Sequence, residues 1–243
     1  MGQPAPVDLL QHKIGLFLDV DGTLLDLAPT PDEVEVPTGL LKTLAAAESR
    51  LGGALALVSG RPISQLDRLF APLELAASGS HGAEIRPSAG GPGGWLPPVR
   101  LPERAWHELL RLLERFPGAF AENKGVGFAV HYHEASEALA AALDSLIEGL
   151  DGFELELRAG YRVFEIKPRR FDKGTAIKRF MTQPPFAGKR PVFIADDPMD
   201  RPGFAAVLAL GGLAFSVGAA LPGLSGWFPQ PAAVRAWLAE ITA

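Results

Sequence analysis

Two aspartates, Asp19 and Asp21, stand one residue apart directly after the apolar run 14–18, and Gly22 and Thr23 follow them. The run predicts a buried strand, and ligands of open α/β sheets bind outside the carboxyl ends of the strands. Paired carboxylates at such a position suit a nucleophile beside an acid/base, or a metal ligand beside either. The alternative is an ordinary strand followed by an Asp-Gly turn, although the full Asp-x-Asp-Gly-Thr pattern favours a functional site.

A carboxylate that attacks a phosphate dianion is repelled by it, so such a site also needs a cation, a lysine and hydroxyl or backbone donors. Ser59 follows a second apolar run, 55–58, which places a hydroxyl at another strand end. Lys173 opens a helical pattern, and the N-terminus of a helix also favours an anion. Taken singly, Ser59 could be a helix-capping or turn residue and Lys173 a solvated lysine.

Three further carboxylates, Asp196, Asp197 and Asp200, follow a third apolar run at 192–195. Like charges this close in sequence repel one another unless a cation is bound among them. The cluster therefore indicates metal binding.

The composition is that of a globular enzyme and argues against nucleic-acid and membrane partners. The net charge is −5 and no basic run is present. The uncharged stretch 204–221 contains the pair Gly211-Gly212, and its pattern predicts a helix, a turn and a strand rather than a membrane span. Charges at Asp8, Lys13 and Asp19 argue against a signal peptide, so we expect a cytoplasmic protein.

Strand and helix patterns alternate in both terminal parts of the chain and predict a Rossmann-like α/β core with a doubly wound, mostly parallel sheet. The predicted strands are 14–18, 54–58, 75–78, 191–195 and 213–217. The predicted helices are 38–51, 62–70, 173–182, 202–209 and 231–241. The glycine- and proline-rich stretch 86–98 predicts a hairpin loop followed by a linker.

The middle of the chain breaks this alternation with the order α-β-β-α-β-β. The predicted elements are a helix at 102–115, strands at 119–123 and 126–132, a helix at 136–149, and strands at 153–158 and 162–167. Such a unit forms a small antiparallel sheet backed by two helices, and an inserted α+β domain of this kind suits a cap. We therefore predict a cap domain at 101–167 and a core domain in two parts, 1–100 and 168–243.

The order of the motifs resembles that of the haloacid dehalogenase superfamily of phosphatases: Asp-x-Asp-Gly-Thr, a strand-end Ser or Thr, a Lys and an acidic cluster. Within that superfamily the chain is most similar to the trehalose-6-phosphate phosphatases. The similarity covers most of residues 14–218. The matching segments are FLDVDGTLLDLAPTPDE, LVSGRPISQLDRLF, GSHGAEIR, AENKGVGFAVHYH, FEIKPRRFDKGTAIKRF and IADDPMDRPGF.

The resemblance implies a Mg²⁺-dependent phosphatase that cleaves trehalose 6-phosphate through an aspartyl-phosphate intermediate. Asp19 would be the nucleophile and Asp21 the acid/base, while Ser59 and Lys173 would hold the phosphoryl oxygens. The implied magnesium site consists of the Asp19 carboxylate, the Asp21 backbone carbonyl, Asp196 and water, with Asp200 orienting that water.

The resemblance also implies that Glu122, Lys124 and Glu165 contact sugar hydroxyls, which can both donate and accept hydrogen bonds. Without it, these three residues would be interpreted as a solvated surface. Arg61 is a further substrate-binding candidate that either packs behind Ser59 or closes on the cap. The implied partner is a small-molecule sugar phosphate, with a functional link to a trehalose-phosphate synthase.

Two alternatives remain open. One is a phosphatase for another small phosphorylated metabolite, of the sucrose-phosphate or mannosyl-phosphoglycerate type. The other is a non-catalytic sugar-phosphate-binding relative. Met199 and Arg201 suggest the second alternative, because they replace a Thr and a Glu that the family has beside its metal site.

Overall fold

The structure is a computed structural model that describes residues 13–30, 33–95, 101, 103–133, 137–150, 154–160 and 162–242. The chain divides into two compact units, one formed by Met1–Gly94 with Asp172–Ala243 and the other by Trp95–Phe171. The predicted boundaries at 101 and 167 lie a few residues inside the second unit. The N-terminal residues of the signal-peptide argument and the linker residues 96–98 fall outside the described residues, apart from Lys13 and Asp19.

The first unit is built on an eight-stranded sheet, with the α/β class that the sequence predicts. Its strands are β1 (Ile14–Leu18), β2 (Leu55–Val58), β3 (Ala76–Gly79), β4 (Glu84–Arg86), β5 (Gly94–Trp95), β10 (Arg190–Ala195), β11 (Leu213–Val217) and β12 (Gly226–Phe228). Its helices are α1 (Leu40–Arg50), α2 (Ile63–Leu69), α5 (Lys173–Phe180), α6 (Arg201–Ala209) and α7 (Pro231–Thr242). The strands and helices numbered between these belong to the second unit.

The strand order is β12-β11-β10-β1-β2-β3-β4-β5, and the six strands from β12 to β3 are parallel to their neighbours. Every residue of β1 is buried. This explains its continuous apolar run, because a central parallel strand is covered on both faces. The helices pair as α1 with α7 and α5 with α6.

Three short strands, β4, β5 and β12, extend the sheet beyond the predicted strands. Each has only two or three residues, which is too short to show a period of two in the sequence. β4 pairs antiparallel with β3, so the sheet is mostly, not wholly, parallel.

The second unit has the predicted order α-β-β-α-β-β. Its elements are α3 (Glu103–Leu113), β6 (Phe120–Asn123), β7 (Phe128–His131), α4 (Glu137–Glu148), β8 (Leu155–Gly160) and β9 (Val163–Pro168). The four strands form an antiparallel sheet in the order β6-β7-β9-β8.

One face of this small sheet packs on the two helices. Phe128, Val130 and Ile166 point to that face and form one core with Leu109 of α3 and Leu143 of α4. Because successive side chains of a strand alternate between faces, the residues between them point to the opposite face.

Within the described residues, no helix is both long and apolar enough to cross a membrane. The stretch 204–221 contains the end of α6 and all of β11, as its helix-turn-strand pattern predicts.

Candidate active site

Three of the predicted site residues follow three adjacent parallel strands. Asp19 comes directly after β1, Ser59 after β2 and Asp196 after β10, and β1 lies between the other two strands. The chain runs from β1 to β2 on one side and returns to β10 on the other, so the strand order reverses at β1. Ligands of open α/β sheets bind at such a point.

A cluster of three carboxylates and one ammonium, buried except for the half-buried Asp196, forms at this edge of the sheet. Ligand oxygens of Asp19, Asp196 and Asp200 all lie within 4.8 Å of one another. Nζ of Lys173 lies 2.8 Å from Oδ1 of Asp19 and forms a second ion pair with Oδ1 of Asp200. Asp200 is fully buried, and only 4% of Asp19 and 5% of Lys173 are exposed.

The ionisation of the cluster is governed by burial and by its excess of negative charge. Burial raises the pKa of Asp19 well above its usual range, and the charges of Asp200 and Asp196 add to this shift against the opposing effect of Lys173. Burial and the charge of Asp200 likewise raise the pKa of Asp196 to about 6. Burial alone would lower the pKa of Lys173, but the charges of Asp19 and Asp200 outweigh it and raise that pKa, so the ammonium stays charged.

These groups fit a divalent cation. The cluster offers only oxygen ligands, which Mg²⁺ prefers, and its three carboxylates face a single ammonium. A bound cation would offset the repulsion that raises the carboxyl pKa values. The residues that could hold it are Asp19, Asp196 and Asp200.

Local hydrogen bonds hold the acidic residues after β10. A 3₁₀ turn at Pro198–Asp200 begins at Asp197, whose carboxylate accepts a hydrogen bond from the Met199 amide at 2.7 Å. In return, the Asp197 amide donates to Oδ2 of Asp200 at 2.9 Å. This reciprocal capping leaves Oδ1 of Asp200 for Lys173.

Lys173 is placed by the start of α5. The Asp172 side chain accepts a hydrogen bond from the Thr175 amide at 2.6 Å and caps the helix, so Lys173 is its first residue. Gly174 allows close packing there, because a Cβ at this position would overlap the backbone of Pro202.

Gly22 and Thr23 of the first motif both lie against the Asp196 side chain. Gly22 has a φ of +75°, and a Cβ at this position would overlap the Asp196 carboxylate. Oγ1 of Thr23, which is fully buried, donates to Oδ1 of Asp196 at 3.0 Å. The sequence pattern predicts no role for Thr23 beyond its place in the Asp-x-Asp-Gly-Thr motif, which is the signal that points to this contact.

Arg61 contacts the second aspartate of the motif. Nε and Nη2 of Arg61 donate to the two carboxylate oxygens of Asp21 at 2.7 and 2.8 Å. The backbone amide of Arg61 also donates to Oγ of Ser59 at 3.1 Å. The paired contact with Asp21 is one that the sequence did not predict.

Outside this cluster, the buried carboxylate of Glu84 supports the loop that carries Ser59 and Arg61, a role that the sequence pattern does not predict. Glu84 accepts hydrogen bonds from Oγ of Ser80 at 2.5 Å and from the Ile63 amide at 3.3 Å. The amide of Ser80 in turn donates to the Arg61 carbonyl at 2.9 Å. Glu84 ends the segment GSHGAE, one of the segments that match the family, but nothing in its pattern distinguishes this carboxylate from a surface one.

In the second unit, the predicted sugar-contact residues lie together on the sheet face away from the helices. Glu122 of β6 and Glu165 of β9 are both in register with Ala129 of β7 and so form one row across the sheet. Nζ of Lys124 lies 2.7 Å from Oε1 of Glu165, and Nε2 of His131 lies 3.4 Å from Oε2 of Glu122. The structure thus brings Glu122, Lys124 and Glu165 to one polar face.

Comparisons with known proteins point to one family. A family model described as trehalose-phosphatase matches residues 17–220. The chain is 39% identical to a probable trehalose-phosphate phosphatase of Sinorhizobium fredii, over 93% of this chain and 86% of that protein. It is 38% identical to trehalose-6-phosphate phosphatase of Escherichia coli, over 96% of this chain and 88% of that protein.

A solved structure shares the fold. It is the C-terminal domain of C. albicans trehalose-6-phosphate phosphatase, which superimposes with a TM-score of 0.83 and covers 100% of this chain and 99% of its own. At 20% identity this likeness concerns the fold alone.

Proposed function

The chain belongs to the trehalose-phosphatase family and is a phosphatase, and from this premise we propose that it hydrolyses trehalose 6-phosphate to trehalose and phosphate. The observation that carries the proposal is the buried Asp19–Lys173 pair, which lies beside Asp196 and Asp200 at the carboxyl end of β1. A carboxylate held next to an ammonium suits nucleophilic attack on a phosphate ester, because the ammonium offsets the repulsion between the two anions.

In the first step we propose that a carboxylate oxygen of Asp19 attacks phosphorus, so that an Asp19–phosphorus bond forms as the bond from phosphorus to the sugar oxygen breaks. Asp21 gives its proton to the departing sugar oxygen. Ser59 and Lys173 bind phosphoryl oxygens and orient the group for in-line displacement.

The second step hydrolyses the aspartyl-phosphate. Asp21, now ionised, takes a proton from water while the water oxygen bonds to phosphorus and the bond to Asp19 breaks. This releases inorganic phosphate and restores both carboxyl groups. Arg61 positions Asp21 for both transfers, because its two hydrogen bonds hold the Asp21 carboxylate in one orientation.

We propose that the metal ion is magnesium and that Asp19, Asp196 and Asp200 hold it. The Asp21 backbone carbonyl would be a further oxygen ligand. When bound, Mg²⁺ would neutralise phosphoryl charge as well as the charge of the cluster.

The proposed sugar contacts are Glu122, Lys124 and Glu165. Their position on one polar face supports this role, since a polyol needs several donors and acceptors within reach of one another.

The role of the second unit as a cap stays a prediction, and so does the cytoplasmic location. We also propose a functional link to a trehalose-phosphate synthase, because the phosphate ester must be made before it can be cleaved.

A panel of phosphate esters tests the substrate. With Mg²⁺, we expect trehalose 6-phosphate to give the highest kcat/KM, ahead of sucrose 6-phosphate, mannosyl-phosphoglycerate, glucose 6-phosphate and p-nitrophenyl phosphate. A higher kcat/KM for another ester would assign the enzyme to that substrate. Absence of turnover on every ester would favour a non-catalytic binding protein.

A further inference from the structure

Phe120 is a large apolar residue exposed on a polar surface. It begins β6, an edge strand of the second unit's sheet, and 51% of it is exposed. Leaving such a side chain in water forgoes the stabilisation that its burial would give. The sheet has an apolar face against its helices, but Phe120 does not lie there.

Strand register places Phe120 among the polar residues. Phe120 pairs with His131 of β7, two residues along the strands from the row that contains Glu122 and Glu165. Paired residues of an antiparallel sheet share a face, and residues two apart on a strand share it too. Phe120 and His131 therefore lie on the same face as Glu122 and Glu165.

The two rings are stacked. Their centroids lie 4.8 Å apart and their planes are inclined by 19°. Nε2 of His131 lies 3.4 Å from Oε2 of Glu122, which ties the stack to the carboxylate. The Phe120 ring is thus braced on one side by an imidazole, while about half of the residue remains exposed.

This combination matches the chemistry of a pyranose ring. Such a ring presents C–H groups on its faces and hydroxyls around its rim, so it pairs an aromatic surface with nearby carboxylates and amines. We propose that Phe120 and His131 form a stacking platform for one sugar ring of the substrate, with Glu122 accepting hydrogen bonds from the hydroxyls of that ring. The inference rests on the proposed function, since it names the group that recognises the sugar.

The platform would determine specificity without taking part in the chemistry at phosphorus. Its loss should weaken binding of substrates that carry the sugar and spare a small aryl phosphate. The test is kcat/KM of Phe120→Ala with trehalose 6-phosphate and with p-nitrophenyl phosphate. We expect about a tenfold loss on the first, which corresponds to about 1.4 kcal/mol of lost stacking, and less than a twofold loss on the second.

Two further variants complete the test. Phe120→Tyr keeps an aromatic face and should retain most of the activity on trehalose 6-phosphate. Leu110→Ala removes another exposed apolar side chain of the same unit, from α3 rather than from the sheet. It should leave kcat/KM on both substrates unchanged. Inhibition of p-nitrophenyl phosphate hydrolysis by free trehalose gives a second readout, and it should weaken in Phe120→Ala only.

The outcomes separate the two hypotheses. Equal loss on both substrates, or wild-type selectivity in Phe120→Ala, would overturn the platform and leave the proposed function standing. If the wild-type enzyme cleaved p-nitrophenyl phosphate but not trehalose 6-phosphate, the proposed substrate would be wrong. The platform would then be tested by trehalose inhibition alone. Weaker inhibition in Phe120→Ala than in wild type would support it, and equal inhibition would overturn it.

Discussion

The guanidinium of Arg61 donates to both carboxylate oxygens of Asp21, from Nε to Oδ2 at 2.7 Å and from Nη2 to Oδ1 at 2.8 Å. This planar, two-bond contact restricts the carboxylate to one orientation, which a lysine in the same place would not do. The acid/base of the proposed mechanism is therefore positioned by a residue 40 positions later in the chain.

The first prediction concerns this contact. Arg61→Lys should lower kcat on trehalose 6-phosphate by about ten- to a hundredfold, because a hydrogen bond to a charged group contributes about 1.5–3 kcal/mol. Circular dichroism should show that the fold is retained. A variant with wild-type kcat would mean that Asp21 keeps its orientation without Arg61.

A second prediction tests the nucleophile. Asp19→Asn is isosteric and should abolish turnover while the protein stays folded, because an amide cannot form the aspartyl-phosphate. Asp26→Asn is the matched control: that side chain is 66% exposed and pairs with Arg235, so its loss should leave turnover unchanged. Phosphatase activity within tenfold of wild type in Asp19→Asn would end the covalent mechanism.

The metal site makes a third prediction. A chelator should silence the enzyme and Mg²⁺ should restore it. A ligand present at a hundred times its Kd stabilises the folded state by about 2.7 kcal/mol, so Mg²⁺ should also raise the Tm. Asp196→Asn should reduce that rise, whereas Asp26→Asn should not. Full activity in excess chelator would contradict the assignment.

Gly22 gives a fourth prediction that isolates one contact. Gly22→Ala should destabilise the fold by about 1–3 kcal/mol through its positive φ, and it should also weaken Mg²⁺ binding by displacing the Asp196 carboxylate. Gly188→Ala is the control, because Gly188 has the same φ of +75° with no atom within 4 Å of its added Cβ. Calorimetric titration with Mg²⁺ should separate the two variants, and equal affinities would show that Asp196 accommodates the methyl group.

The fifth prediction is a pH dependence. Burial raises the pKa of Glu84 above its ordinary value of 4.5, so the folded state binds that proton more tightly than the unfolded state does. The contribution of Glu84 to stability is thus fully present below pH 4.5 and is lost as the pH rises through the raised pKa. Glu84→Gln is neutral and should gain stability relative to wild type as the pH rises.

Urea unfolding at pH 4 and pH 8 measures this difference. Glu240→Gln, which neutralises an exposed carboxylate on α7, serves as the control and should show a smaller change between the two pH values. If Glu84→Gln were no more stable relative to wild type at pH 8 than at pH 4, the burial of the Glu84 charge would not limit stability.

The sequence by itself determined the class of fold and the ends of the strands that carry the chemistry. The run before Asp19 and the run before Asp196 predict buried strands because each is continuous and apolar, a property that neighbouring residues share. The order α-β-β-α-β-β of the second unit is equally local, since it depends on periodicity within short windows. The short strands β4, β5 and β12 are not predicted, because they are too short to have a period.

Only the tertiary structure decided how distant side chains meet. Lys173 contacts Asp19 across 154 positions of sequence because α5 begins beside the end of β1, and no local pattern encodes that distance. The same holds for the contact between Thr23 and Asp196, and for the register that places Glu122 and Glu165 in one row. Strand order, register and burial are set by packing of the whole unit, so they fix which charges share a site and how far their pKa values shift.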